Sequence, residues 1–139
     1  MTKDQFIKSR QYKDFLNSNI WFKMPASWCV RFNLTPTELL IFSYIRFATE
    51  NGTYGKYTGS IKGLSVLCNV SLPTARNAVE KLEREGFIKK DIMQRDGKRW
   101  VCYEAYLTDN VIRNINARGQ TVEEFLAVRR EINRHPVLR

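Results

Sequence analysis

The stretch of residues 60–88 constrains this chain more than any other, because it carries two helical periods with a turn signal between them. Ser60 can cap a first helix whose Ile61, Leu64 and Leu67 share one face. Asn69-Val70-Ser71 then interrupts the period with turn-tolerant residues, and Ser71 can cap a second helix. In that second helix Ala75, Val79 and Leu82 recur at i, i+4 and i+7 and must face a core, which turns Pro73, Thr74, Arg76, Asn77, Glu80, Lys81 and Arg84 outward. Gly86 ends the helix, and Phe87-Ile88 returns the chain to the interior. The expectation is two short helices joined by a tight turn.

Next along the chain comes a hairpin signal. Residues 87–94 and 98–107 alternate apolar with polar around Arg95-Asp96-Gly97-Lys98, with Asp-Gly at the tip. The tip is basic through Arg95, Lys98 and Arg99. Such charges suit contact with a phosphate backbone or a minor groove, and they also suit a solvated hairpin end that blocks edge pairing. Upstream, Thr35-Pro36-Thr37-Glu38 forms a capping box that opens a helix with Leu39, Leu40, Phe42, Ile45 and Ala48. That helix is expected to close at Asn51-Gly52 in a left-handed conformation. The connection 52–59 has room for a short strand at Lys56-Tyr57-Thr58.

The flanks read as helices too. Phe6, Tyr12, Phe15 and Leu16 give residues 3–17 an amphipathic helical period, whereas the aromatic run 20–25, closed by Pro25, reads as extended. Residues 28–32 fit a helical turn or a short strand equally. Beyond residue 107, Thr108-Asp109-Asn110 can cap a short helix with Val111, Ile112 and Ile115 that ends near Gly119. A second capping box, Thr121-Val122-Glu123-Glu124, opens a helix with Phe125, Leu126, Val128 and Ile132 inside and Arg129, Arg130 and Arg134 outside. These helices are expected to pack with the N-terminal helix, either within one subunit or across a two-fold dimer. The fold class is therefore mainly α with a small β-hairpin wing. An N-terminal helix and lead-in (1–34) and C-terminal helices (108–139) flank a winged helix-turn-helix core (35–107).

Charge and chemistry narrow the function. With 23 Lys+Arg against 14 Asp+Glu the chain carries +9 and a pI near 9.7. That excess favours a polyanionic partner, nucleic acid before an acidic membrane surface, over a merely soluble basic protein. The 139 residues suffice for one core, and no apolar run approaches a membrane span. The first four residues lack the apolar start of a secretion signal, so a soluble cytoplasmic protein is expected. Cys29, Cys68 and Cys102 lie far apart among apolar neighbours and read as reduced core thiols, with neither a disulfide framework nor a metal-ligand spacing. His135 is the single histidine, and Gly52-Thr53-Tyr54-Gly55-Lys56 lacks the spacing of a phosphate-binding loop. No catalytic constellation, cofactor motif or metal site emerges, so a non-enzymatic binding protein is expected. Trp21, Trp28 and Trp100 sit in apolar contexts that suit core packing.

The segment with Leu64-Ser65, Asn69-Val70-Ser71, Thr74-Ala75, Val79, Leu82 and Gly86-Phe87-Ile88 resembles the helix-turn-helix of bacterial winged-helix DNA-binding proteins. Ser65 and Asn69 replace the usual Ala and Gly, both mildly. Within that superfamily Leu34-Thr35-Pro36, Asp96, Arg99 and Leu107-Thr108 are similar to MarR-type regulators. Phe22, Met24-Pro25 and the long 52–60 connection are similar to winged-helix domains of phage and plasmid replication initiators and DnaD-like proteins. The resemblance implies a double-stranded DNA partner met by Ser60, Lys62, Ser71, Pro73, Thr74, Arg76, Asn77, Lys81 and Arg84, and by Arg95, Lys98 and Arg99 of the wing. Arg76 and Asn77 are the base-reading candidates, since Arg matches guanine O6/N7 and Asn matches adenine N6/N7. The expected function is sequence-specific regulation of transcription on a bacterial or mobile-element genome. The alternatives are replication initiation or replisome loading, and a winged-helix protein adaptor.

Overall fold

The structure, a computed structural model, describes residues 23–135. The expected helix over 3–17, Trp21 and the start of the extended lead-in lie outside the described residues. Within them the order is α1 (Ser27–Arg31), α2 (Pro36–Asn51), α3 (Ile61–Leu67), α4 (Leu72–Arg84), β1 (Ile88–Arg95), β2 (Lys98–Ala105), α5 (Asp109–Ala117) and α6 (Val122–Arg134). This is a winged helix-turn-helix, mainly helical with one two-stranded antiparallel wing. Among the described residues no helix is long and apolar enough to cross a membrane.

Helix α2 is the central post. Its capping box is closed: the Glu38 N–H donates to Thr35 Oγ1 at 3.1 Å, and the Thr35 N–H donates to Glu38 Oε1 at 2.8 Å. Leu39, Ile41, Phe42 and Ile45 are buried, and the aromatic rings of Trp28 and Phe87 pack on Phe42 at 5.8 and 5.6 Å. Trp28 thus joins the core as expected, and the ambiguous 28–32 stretch is resolved as the helix α1. The end of α2 departs from expectation, because Gly52 is extended at φ −74°. Glycine is needed there for space: a Cβ would press on the carbonyl oxygen of Ala48, which the Gly52 N–H approaches to 2.8 Å.

The two helices of the recognition unit start and stop on local chemistry. Ser60 Oγ accepts from the Gly63 N–H at 3.0 Å and Ser71 Oγ from the Thr74 N–H at 3.2 Å. Between them Asn69 takes the left-handed conformation, φ +54°. Its N–H donates to Val66 O, while the Val70 N–H donates to Ser65 O, which closes the end of α3 in a Schellman arrangement. The same motif ends α4. Gly86 at φ +85° donates to Glu83 O, and the Phe87 N–H donates to Leu82 O. Gly86 is also where α6 crosses, since a Cβ there would lie 2.7 Å from Leu126 O.

Along α4 the buried residues are Ala75, Ala78, Val79 and Leu82, which pack toward α2 and α3. The wing continues in register from Ile88↔Ala105 to Arg95↔Lys98. Asp96 at φ +53° and Gly97 at φ +77° have the paired positive angles of a type I′ turn, the twist that suits a two-residue hairpin. The strand anticipated at Lys56-Tyr57-Thr58 is a single bridge, Tyr57↔Tyr103, against the wing's second strand. The C-terminal helices pack on the same chain. Asn133 Nδ2 donates to Glu83 O at 2.7 Å and to Ile88 O at 3.1 Å, bridging the end of α4 and the root of β1. One buried cluster therefore takes Trp28 and Leu34 from before residue 35 and Ile115, Val122 and Leu126 from beyond 107.

The left-handed turn gives a direct stability test. Asn69→Gly should stabilise the fold by about 0.5–1 kcal/mol, because glycine adopts positive φ without a Cβ clash. Asn69→Val should destabilise it by at least about 1–2 kcal/mol. Urea unfolding midpoints measured on the three proteins would show the order Gly above Asn above Val; Val equal to Asn would refute the role given to this turn.

Candidate nucleic-acid interface

The N-termini of α3 and α4 and the inner side of the wing surround an open cleft of about 660 Å³. Lys62 on α3, Arg76 on α4 and Lys90 on β1 line it, together with Ser60, Leu72, Trp100 and Tyr103; none of its lining residues is acidic. Three cations from three separate elements therefore converge on one concave surface. Each position derives from the fold. Ser60 caps α3 and sets Lys62 on its first turn, while the apolar stripe of α4 forces Arg76 and Asn77 to the outside, where both are exposed. Pro73, Thr74 and Ser71 are exposed at the same end of α4. At the wing tip Lys98 and Arg99 are exposed, one on each side of the strand.

Other sequence-derived candidates are differently engaged. Lys81 Nζ donates to Glu38 Oε1 and to Asn33 O, both at 2.8 Å, and so ties α4 to the start of α2. Its ammonium is a strut within the fold, which argues against the solvent-facing contact expected for it. Arg95 donates to the Tyr54 hydroxyl and lies over that ring, with 5.6 Å from guanidinium carbon to ring centroid. The wing arginine nearest the turn is thereby drawn back toward the 52–59 connection. Arg84 is exposed at the far end of α4, 3.7 Å from Glu85. The hydroxyls of Ser60 and Ser71 serve their helices as caps, and Ser71 Oγ also donates to Thr74 Oγ1 at 2.8 Å.

Two lining residues escaped sequence reasoning. Lys90 is two positions from the buried Ile88 and shares its side of the strand, a period-2 signal that was available in the sequence. Trp100 was expected in the core; instead it is half-buried and walls the cleft. A signal was available for it: Trp100 directly follows Lys98-Arg99 and lies close to the hairpin turn, where little core is within reach. Burial pushes the Cys68 thiol up to about 11 and also raises that of Cys102, which keeps these two in the unreactive protonated form. His135 is exposed near Glu131, away from the cleft.

The wing is braced rather than free at its root. Tyr57 and Tyr103 exchange two backbone hydrogen bonds of 2.7 and 2.9 Å, and the Tyr57 hydroxyl donates to Ser60 O at 2.7 Å. Burial raises the pKa of both phenols, so both stay protonated and Tyr57 remains a donor. Lys56 lies 3.4 Å from Asp91, whose carboxyl is held below its ordinary value first by the Ile92 N–H and then by the Lys56 charge.

No protein-family model matches the chain, and no curated protein sequence matches it. Among solved structures, a "possible transcriptional regulator" from Methanosarcina mazei Go1 is similar to it at 21% identity and a TM-score of 0.49, with 70% of this chain and 76% of that one covered.

The Lys81 strut predicts a pH signature. Burial raises the Glu38 carboxyl, but hydrogen bonds from Lys81 and from the Thr35 N–H outweigh it and hold the group below its ordinary 4.5. A depressed carboxylate stabilises the fold above the unfolded pKa, and that contribution is lost as pH falls through the folded value. Glu38→Gln should therefore be destabilised by about 1–2 kcal/mol at pH 7, and the difference from the wild type should shrink as pH falls through the lowered folded value. Unfolding curves from neutral to acid pH check this; a pH-independent difference would contradict it.

Proposed function

We propose that this chain binds double-stranded DNA sequence-specifically, with the first two turns of α4 in the major groove and the wing on the backbone, and that it regulates transcription on a bacterial or mobile-element genome. One observation carries the reading: Lys62, Arg76 and Lys90 converge on a cleft without an acidic wall, next to an exposed Asn77 and a basic wing tip. An α-helix fits the major groove, and an Arg-Asn pair one residue apart on its outer face offers the two side chains that read guanine and adenine bidentately. Lys62, Lys90, Lys98 and Arg99 supply positive charge around it, which fixes orientation on phosphates without reading sequence. The start of α3, capped by Ser60, lies at the same surface, as a first helix that crosses the backbone requires.

Selection of bound duplexes from a random pool tests sequence preference, and titration at several salt concentrations tests the charge. Four cations on phosphates give a slope of log K against log salt of about −3 to −4. A nearly flat dependence would point to a protein partner in place of DNA.

Three substitutions separate the roles. Arg76→Ala should relax the selected sequence at one position and weaken the preferred duplex by about 1–3 kcal/mol while barely changing random DNA. Lys98→Ala should weaken every duplex alike and reduce the salt slope by about 1. Lys81→Ala should lower the unfolding midpoint and leave DNA affinity nearly unchanged, because its ammonium is committed to Glu38 and Asn33. Fluorescence anisotropy with selected and random duplexes checks all three, and equal losses for the first two on both DNAs would contradict the division of labour.

A further inference from the structure

A second concavity, of about 380 Å³, opens on the other side of the wing root, between β2, α5 and α6. Its distinguishing residue is Arg129. The guanidinium carbon lies 5.0 Å from the ring centroid of Tyr106 and 4.8 Å from that of Phe125. Its Nε is buried without a hydrogen-bond partner, and among the described residues no carboxylate pairs with the group. Arg129 as a whole is half-buried, and stacking on two aromatic faces is a favourable arrangement for a guanidinium that also orients its plane. The rings thus fix the plane of the fork without pairing its charge with a protein carboxylate. Arg118 and Asn114 line the same hollow, and the one acidic wall residue, Glu104, lies 3.4 Å from Lys89.

We infer that this hollow is a binding site for a small organic carboxylate, with Arg129 as its anchor and Arg118 and Asn114 as further donors. The planar fork of arginine matches a carboxylate geometrically, and aromatic walls suit the organic remainder of such a molecule. The volume lies within the range of small-ligand pockets. The position also gives occupancy a route to the DNA surface, a consequence that rests on the proposed DNA-binding function. Glu104, Ala105 and Tyr106 end the wing and begin the strand exit, while Arg129 borders Gly86, where α6 crosses the end of α4. A carboxylate in the hollow thus touches the wing root and the helix that braces α4.

The test uses the full chain and three carboxylates, acetate, succinate and benzoate, each beside its neutral amide. Calorimetric titration in the absence of DNA should show saturable binding of at least one acid, at least tenfold tighter than its amide. Arg129→Met should abolish that binding without lowering the thermal midpoint, because it removes a buried unpartnered donor. Arg129→Lys, which keeps charge but loses the fork, should weaken binding several-fold. An acid bound no better than its amide, binding unchanged in Arg129→Met, or no binding by any of the three overturns the site. Because the titration contains no DNA, its failure leaves the DNA reading standing, and loss of DNA affinity measured without any carboxylate leaves the pocket standing.

Discussion

Everything at the proposed DNA surface depends on the burial of one stripe of α4. Ala75, Ala78, Val79 and Leu82 are almost wholly removed from water, and the small side chains at 75 and 78 let the helix lie close on α2 and α3. Because a helix turns about 100° per residue, fixing that stripe fixes the direction of every other side chain on it. Arg76 and Asn77 are outward because their neighbours are inward. The two ends are held independently: Ser71 caps the start, while Gly86 and the crossing of α6 lock the finish. Rolling α4 would require breaking the stripe, the Lys81 strut and the Gly86 contact together.

The wing and the helix pair are coupled through a narrow set of contacts. Tyr57 is the hinge between them, bonded by its backbone to Tyr103 and by its hydroxyl to the carbonyl of Ser60. The residue that caps α3 therefore also receives the brace from the wing, so the cleft between them has a defined width. Beyond this root the hairpin is less buried: Ile92 and Val101 face one another across the strands and are both exposed. In the proposed complex, a rigid root with a solvent-exposed tip lets the base of the wing set position while Lys98 and Arg99 adapt to a phosphate backbone.

Local chemistry made much of this legible in advance. The Thr35 and Thr121 capping boxes, the Ser60 and Ser71 caps, the Asp96-Gly97 turn and the Gly86 terminator are each written in a few adjacent residues, and each formed as read. What escaped depended on elements distant in the chain. Arg76 and Lys81 lie on opposite flanks of the same apolar stripe, and periodicity cannot say which flank another helix will approach. Glu38, forty-three residues away, settles it for Lys81. Arg95 is likewise drawn to Tyr54 across a separation of forty-one residues. Gly52 is a local exception: the Ala48 carbonyl in the last turn of its own helix leaves no room for a Cβ there, and its backbone is extended rather than left-handed. Trp100 lies near the exposed end of the hairpin, next to Lys98 and Arg99, and is only half-buried there.

The most direct test is a residue-by-residue map of where duplex DNA touches the folded chain. Backbone amide resonances tracked during titration with a selected duplex should shift along residues 60–63, 72–77 and 97–100 and remain in place along 122–134. Perturbation concentrated on α5 and α6, with α4 and the wing silent, would contradict the account.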